Sequence, residues 1–307
     1  MTESAAPSPA QPQTVRCRLL GAATGFSNAE LKVIRVLLTN YPAAGLTTVS
    51  RLAREAGVSD PTVIRLANRL GFEGYAEMQA TLIAEVELHM RSPLTLQTQA
   101  PADGGNVYQD FLRETVGRCE EVARGTVTAD FERMVALLSD PRLRVLCLGG
   151  RFSRFVAGIL QRCLHHLRPG TEHLDGSGAD ISDRLADIDK RHLLVLFDYR
   201  RYQNDTVNFA RQARARGAQI ALFTDIWCSP VADIADAILM APTETASPFD
   251  TLVTPLLQVE AVIAGVAERL APDWRDRVRA MEAIRHENHI TMESGQGSPD
   301  PDTGDAS

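Results

Sequence analysis

The sequence lacks the features that mark several special classes of protein. Its 307 residues contain no apolar run long enough to cross a bilayer, so we expect no membrane partner. The opening residues, MTESAAPSPAQPQT, have neither a positive charge near the start nor an apolar stretch. We therefore expect no secretory signal.

Cysteine is scarce, and its spacing does not indicate covalent or metal-bound structure. The five cysteines are odd in number and widely separated, which fits neither a disulfide framework nor a zinc site. We expect reduced thiols, no metal and no cofactor in a cytoplasmic protein. The five are Cys17, Cys119, Cys147, Cys163 and Cys228.

A net positive charge, which many nucleic-acid-binding proteins have, is also missing. The formal net charge is −7 at pH 7. Between Ser27 and Phe72, however, six basic side chains outnumber three acidic ones. A local surplus of this kind suits a module that contacts phosphate groups, although an ordinary solvated surface would also explain it.

The length and the distribution of Pro, Gly and Ser predict two domains. The segment RSPLTLQTQAPADGGN has few large apolar groups and is interpreted as a linker. Both terminal segments have the composition of disordered chain. We expect a disordered tail over residues 1–24, an all-α domain over 25–90, a linker over 91–106, an α/β domain over 107–290 and a second disordered tail over 291–307.

The first domain has helical periodicity throughout. Ser27 and Glu30 have the spacing of a capping box, and an apolar stripe follows them. Further helices are expected over about Thr48–Ala56, Asp60–Leu70 and Tyr75–His89.

The segment TTVSRLAREAGVSDPTVIRLANRLG has the spacing of a helix-turn-helix. Ala53 is small where two helices cross closely, and Gly57, four residues later, permits the positive φ of a turn. Ser59 is placed to cap the next helix, and Pro61 is tolerated in its first turn. The pattern predicts a DNA-binding module, with a plain three-helix bundle as the alternative.

The third helix of this module is the expected recognition helix, which enters the major groove of DNA. Arg65 would reach a guanine edge or a phosphate, and Asn68 an adenine edge or the backbone. Arg54, on the preceding helix, is a candidate phosphate contact. The residues expected to be exposed on the recognition helix are Ser59, Asp60, Thr62, Arg65, Asn68 and Arg69.

After residue 142, short apolar runs alternate with amphipathic helices. Five runs predict a doubly wound, flavodoxin-like sheet of five parallel strands with helices on both faces. Ligands bind such sheets beyond the carboxyl ends of the strands, so the loops after Leu148 and Phe197 are the expected binding region. The predicted strands are Leu143–Leu148, Thr171–Leu174, His192–Phe197, Gln219–Phe223 and Ala237–Met240.

The run AREAGVSDPTVIRLANRLGFEGYAEMQ, with Gly-Phe-x-Gly-Tyr at Gly71–Tyr75, resembles the N-terminal domain of MurR/RpiR-type transcriptional regulators. The α/β half resembles the sugar isomerase (SIS) domain that these regulators carry. The two matches together cover about residues 27–270. The resemblance implies a homodimer or homotetramer that binds palindromic operators on double-stranded DNA and responds to phosphorylated sugars or related metabolites.

Two loops of the resembled SIS domain bind phosphate, and both are altered here. The first, usually Gly-x-Gly-x-Ser, reads Gly149-Gly150-Arg151-Phe152-Ser153, so only its second glycine is replaced. The second, usually Ser-x-Ser-Gly-x-Thr, reads Asp198-Tyr199-Arg200-Arg201-Tyr202-Gln203 and keeps none of those small residues.

Guanidinium groups at these positions would bind an anion through a bidentate fork instead of a nest of small residues. We expect a small anionic effector, which could be an organic acid, a carboxylated sugar or a sugar phosphate. The candidate ligand-binding residues are Arg151, Ser153, Asp198, Tyr199, Arg200, Arg201 and Tyr202.

Three alternatives stay open at this level. Asp198 and the two adjoining arginines could instead form an internal salt-bridge cluster or an oligomer contact. The SIS fold also hosts sugar-phosphate isomerases, but no His or Glu is clearly placed as a base beside the second loop, and we expect no enzyme. The domain could also serve oligomerisation alone. Glu244 and Asp250 are candidates to line a pocket in a neighbouring subunit, and helix capping explains Asp250 equally well.

Overall fold

The computed structural model describes residues 14–21, 26–90, 106–245 and 247–290. Its helices are α1 (Val15–Gly21), α2 (Asn28–Thr39), α3 (Val49–Ala56), α4 (Asp60–Arg69), α5 (Tyr75–Met90), α6 (Val107–Gly125), α7 (Thr128–Ser139), α8 (Ser153–Leu167), α9 (Gly178–Asp183), α10 (Asn204–Ala215), α11 (Val253–Arg269) and α12 (Trp274–Glu287). Its strands are β1 (Arg144–Gly149), β2 (Thr171–His173), β3 (His192–Asp198), β4 (Gln219–Asp225) and β5 (Ala237–Ala241).

The expected linker, apart from its last residue, and the expected C-terminal tail lie outside the described residues. Across the described ranges, no helix combines the length and the apolar character needed to span a membrane.

Helices α1 to α5 form the first domain around a core of buried aliphatic side chains. The predicted capping box at the start of α2 is confirmed: the Ser27 N–H donates to Glu30 Oε2 at 2.8 Å, and the Glu30 N–H donates to Ser27 Oγ at 3.3 Å. The fully buried members of the core include Leu19, Leu37, Leu52, Leu66, Met78 and Leu82.

Helix α1 shows that the expectation of a disordered tail over residues 1–24 is wrong for part of that segment. Val15 and Leu19 are buried in the core of the first domain. The Val15 N–H also donates to Glu85 Oε1 at 2.7 Å. The helix has only seven residues, so its apolar pattern was too short to stand out from the Ala- and Pro-rich composition around it.

Residues at the start of α1 also contact the second domain. The Thr14 hydroxyl donates to the Ile226 carbonyl at 3.0 Å. The guanidinium of Arg16, whose side chain is buried, forms an ion pair with Asp233 at 2.7 Å. Asp233 lies in a 3₁₀ turn, Pro230–Ile234, which follows β4. This short segment therefore ties the helical domain to the α/β domain.

The second domain contains the predicted sheet of five parallel strands, with the order β2-β1-β3-β4-β5. Every residue of the central strand β3 is buried. One face of the sheet packs against α7, α8 and α11, and the other against α10 and the turn after β4. The strand order reverses between β1 and β3, which places the binding crevice of such a sheet at their carboxyl ends.

Besides α1, two helices of the second domain were absent from the sequence-based prediction. Helix α9 follows β2 and is only six residues long. Helix α12 follows α11 and packs on α8, where the Arg277 guanidinium donates to the His165 carbonyl at 2.8 Å.

Candidate nucleic-acid interface and candidate effector site

The turn between α3 and α4 has helix-turn-helix geometry. Gly57 ends α3 in the left-handed region, with φ of 63°, which a residue with a Cβ rarely adopts. The Val58 N–H donates to the Ala53 carbonyl at 2.9 Å and closes the turn. Apolar side chains on both sides of the turn are buried, namely Leu52, Ala56, Val63 and Leu66.

Helix α4 places Arg65 and Asn68 in solvent, as a recognition helix requires. The nearest contact of the Arg65 guanidinium is a hydrogen bond to Thr62 Oγ1 at 3.2 Å. Arg54 is likewise exposed on α3. These three side chains are free to turn toward a DNA duplex.

The prediction that Thr62 is exposed on α4 is wrong, because only 5% of this residue is exposed. It precedes Val63 at the edge of the buried stripe of α4, and its hydroxyl contacts Ser59 Oγ at 3.1 Å. Ser59 occupies the N-cap position of α4, but its side chain makes this contact and not the expected capping bond to a backbone N–H. Thr62 therefore supports the helix and does not present a polar group to DNA.

Asp60 and Arg69 are exposed but bonded within the domain. Asp60 Oδ2 accepts a hydrogen bond from Ser50 Oγ at 2.5 Å. The Arg69 guanidinium pairs with Glu30 at 2.8 Å and lies 4.2 Å from the centre of the Phe26 ring. These contacts give both side chains a role in holding the three helices together.

Sequence reasoning missed Ile64, which is 41% exposed on α4 beside Arg65. The apolar residues of this helix were expected to face the core, and the hydrophobic period alone does not reveal that one of them is exposed. An exposed aliphatic group on a recognition helix can contact the methyl group of thymine.

A cavity of about 290 Å³ lies beyond the carboxyl ends of β1 and β2, beside the point where the strand order reverses, and is bounded by the loop after β1, by α9 and by the start of α10. Its polar lining residues are Arg151, Arg154, Asp175, Ser182, Gln203, Asp205 and Thr206. Arg151 is the one member of the predicted ligand-binding set that lines this cavity.

Arg200 turns away from this cavity. Its side chain is 5% exposed and pairs with Glu244 at 3.3 Å and with Asp250 at 2.6 Å. The Trp227 indole N–H donates to the same Glu244 carboxylate at 3.1 Å. The structure therefore shows an internal salt-bridge cluster around Arg200, but its carboxylates are Glu244 and Asp250 and not Asp198. Arg201 forms no ion pair in this cluster among the described residues. Asp250 does not cap α11, whose N-cap is Leu252.

The neighbouring side chains of the second loop hold it against β4. The Tyr202 hydroxyl and the Arg200 N–H donate to the Asp225 carboxylate at 2.6 and 2.5 Å. Asp198 accepts a hydrogen bond from Ser229 Oγ at 2.5 Å. Burial, with added repulsion from Asp225, raises the pKa of Asp198 to about 7 despite the Ser229 bond.

Asp225 at the end of β4, and Tyr199 and Arg201 in the loop, also lack a place in the cavity lining. Burial raises the pKa of Asp225 to about 6, although three hydrogen bonds favour its ionised form. Tyr199 packs against the core of the sheet, and its hydroxyl is buried with no partner among the described residues. Arg201 is exposed outside the cavity lining. Of the three arginines predicted to bind the effector, Arg151 therefore lines the cavity, whereas Arg200 and Arg201 do not.

Ser153 is buried and acts within the first loop. Its hydroxyl donates to the Phe197 carbonyl at 2.7 Å and accepts the Gly150 N–H at 2.9 Å. It ties the loop after β1 to the end of β3 and so shapes the cavity without lining it.

Arg154 and Gln203 line the cavity but were not among the predicted site residues. The Arg154 guanidinium lies 3.4 Å from the Asp175 carboxylate and 4.8 Å from the centre of the Phe155 ring. Gln203 Oε1 accepts the Arg151 N–H at 2.8 Å. Arg154 directly follows the first loop and Gln203 ends the second, so a search that included every residue of both loops and the first turn of α8 would have found them.

Comparisons with known proteins match both domains. A family profile described as "Helix-turn-helix domain, rpiR family" matches residues 17–88, and one described as "SIS domain" matches residues 137–265. The HTH-type transcriptional regulator HexR of Pseudomonas aeruginosa is 25% identical over 265 residues, which are 84% of this chain and 90% of that protein.

Two solved structures have the same fold. The sugar isomerase domain of an RpiR transcription factor from Sphaerobacter thermophilus is 24% identical, with a TM-score of 0.55 over 58% of this chain and 99% of that one. NanR of Vibrio vulnificus, complexed with ManNAc-6P, is 17% identical, with a TM-score of 0.52 over 89% of this chain and 98% of that one. The helix-turn-helix geometry, the parallel sheet and the two domain matches lead to one conclusion: this chain is a DNA-binding transcription regulator that belongs to the RpiR family.

Proposed function

We propose that this regulator binds a small, polyhydroxylated anion in the cavity bounded by the loop after β1, α9 and the start of α10, and that binding changes its affinity for an operator. The observation that carries the proposal is the presence of two guanidinium groups, Arg151 and Arg154, in one cavity beside the switch point of the sheet. Guanidinium groups bind carboxylates and phosphates through paired hydrogen bonds.

The acidic residues of the cavity narrow the chemistry of the effector. Asp175 and Asp205 line the same cavity as the two arginines, so two carboxylates balance its two guanidinium groups in formal charge. Ionised carboxylates accept hydrogen bonds from hydroxyl groups. A compound with one acidic group and several hydroxyls matches this mixed lining better than a simple anion does.

The surface beside the cavity supports a homodimer or homotetramer. Phe152, Phe155 and Ile159 are 52%, 56% and 41% exposed at the start of α8. Exposed apolar groups clustered in this way mark protein contact surfaces. A two-fold symmetric regulator would read a palindromic operator, in which two half-sites face the two recognition helices.

The proposed role is regulatory and not catalytic, and the regulator HexR among its relatives supports this. We place the activity in the cytoplasm because the operator is chromosomal DNA.

The test measures operator affinity of the full chain with and without carboxylated sugars, organic acids and sugar phosphates. We expect one class to change the operator Kd, and Arg154→Gln to weaken that response about tenfold or more through loss of a charged hydrogen-bond donor. Arg162→Gln, an exposed arginine on the same helix outside the cavity, is the matched control. Equal responses from Arg154→Gln and the wild type would place the effector elsewhere.

A further inference from the structure

The loop from Gly149 to Ser153 brings backbone N–H groups to the N-terminal end of α8. Such groups, at the positive end of a helix, bind the oxygens of anions. A Cβ on Gly149 would lie 2.5 Å from the Arg154 nitrogen, so the loop can pass this closely over the helix only with glycine there. The backbone of an anion-binding loop is therefore present.

Oxygen atoms of the chain itself already accept hydrogen bonds from the Gly150 and Arg151 N–H groups of this loop. The Gly150 N–H donates to Ser153 Oγ at 2.9 Å and to the Phe197 carbonyl at 3.3 Å. The Arg151 N–H donates to Gln203 Oε1 at 2.8 Å. A Cβ on Gly150 would lie only 2.7 Å from that same Oε1, so the Gln203 amide lies directly against the loop.

Gln203 reaches the loop from the opposite wall of the cavity. It is the N-cap residue of α10, but its side chain makes no cap hydrogen bond. It stands where the resembled second loop has threonine, and its side chain is longer. The neutral amide oxygen thereby takes the position in which an anionic oxygen would accept the Arg151 N–H.

We infer that Gln203 determines specificity by closing this backbone nest to phosphate, so that the acidic group of the effector is a carboxylate held by guanidinium groups. A phosphate monoester presents three oxygens and nearly two negative charges, which call for several donors at once. A carboxylate presents two oxygens in one plane and fits the fork of Arg151 or Arg154 without the loop. The inference rests on the proposed function and narrows its effector to carboxylated compounds.

The test is the affinity of the full chain for inorganic phosphate, measured by calorimetric titration at constant ionic strength against chloride. Gln203→Ala frees the Arg151 N–H, and Gln203→Thr restores the shorter side chain of the family pattern. We expect both variants to bind phosphate about tenfold or more tightly than the wild type, because each regains a donor to a charged ligand. Gln212→Ala, an exposed glutamine on the same helix, should match the wild type.

Equal phosphate affinity in the wild type and both Gln203 variants would overturn the inference, whether that affinity is high or undetectable. Phosphate titration needs neither operator nor effector. A failure of the proposed function would show instead as an operator affinity that no metabolite changes, so the two failures are distinguishable.

Discussion

The recognition helix and the loop after β3 are both rich in arginine, but they use it in opposite ways. On α4, Arg65 is exposed, and its guanidinium donates a local hydrogen bond to Thr62. In the loop, Arg200 is buried between Glu244 and Asp250. Burial between two carboxylates makes Arg200 part of the fold, whereas an exposed arginine such as Arg65 or Arg154 stays available to a ligand.

The largest effect expected from this comparison is on stability. Arg200→Ala should lower the free energy of unfolding by about 3 kcal/mol, because it leaves two carboxylates without their buried partner. Arg201→Ala, its exposed neighbour, should change stability by no more than about 0.5 kcal/mol. Urea unfolding of both variants measures this. If both substitutions left the stability nearly unchanged and both abolished the effector response, the loop would be a ligand site.

The next effect concerns DNA. Arg65→Ala should weaken operator binding by about 1–3 kcal/mol and relax selection at one base position, if its guanidinium reads a guanine edge. Arg54→Ala should weaken binding to all DNA sequences alike and reduce the slope of log affinity against log salt concentration by about one. Fluorescence anisotropy with operator and scrambled duplexes separates the two roles. If Arg65→Ala weakened binding to both duplexes equally, Arg65 would be a phosphate contact.

The sequence predicts elements that depend on local signals better than contacts between residues far apart in the chain. Hydrophobic period, turn glycine and capping residues are local signals, and they predicted α2 to α5 and the five strands. The partners of Arg200 lie 44 and 50 residues further along the chain, so only the folded domain brings them together.

The candidate effector site was predicted only in its location. The carboxyl ends of β1 and β3 follow from the topology of a parallel sheet. The contact between Gln203 and Arg151 spans 52 residues and depends on a side-chain rotamer, which no pattern of residue types encodes. Helix α1 was missed because its seven residues are too few to show a helical period and because Glu85, which accepts the Val15 N–H, lies 70 residues away.

The smallest expected effect is a pH dependence in the buried part of the loop. Burial raises the pKa of Asp198 to about 7, well above its value in unfolded chain. The folded state therefore holds a proton that the unfolded state has released between about pH 4 and pH 7, and stability falls as pH rises through that window.

Asp198→Asn keeps an oxygen that accepts the Ser229 hydrogen bond but cannot ionise. Thermal unfolding at pH 6 and at pH 7 should show about 1 kcal/mol less pH dependence in this variant than in the wild type. Asp180→Asn, at an exposed carboxylate on α9, is the control. Identical pH profiles for Asp198→Asn and the wild type would show that Asp198 is already ionised throughout this range.

Footprinting of the full chain on genomic fragments that it selects, with and without metabolites, measures operator binding and effector response together. The proposed function predicts a discrete protected site of two related half-sites, about one helical turn apart or a multiple of that distance. It also predicts that a carboxylated, polyhydroxylated compound changes the protein concentration needed for protection. Selection of no discrete site, or protection that is indifferent to every metabolite, would contradict it.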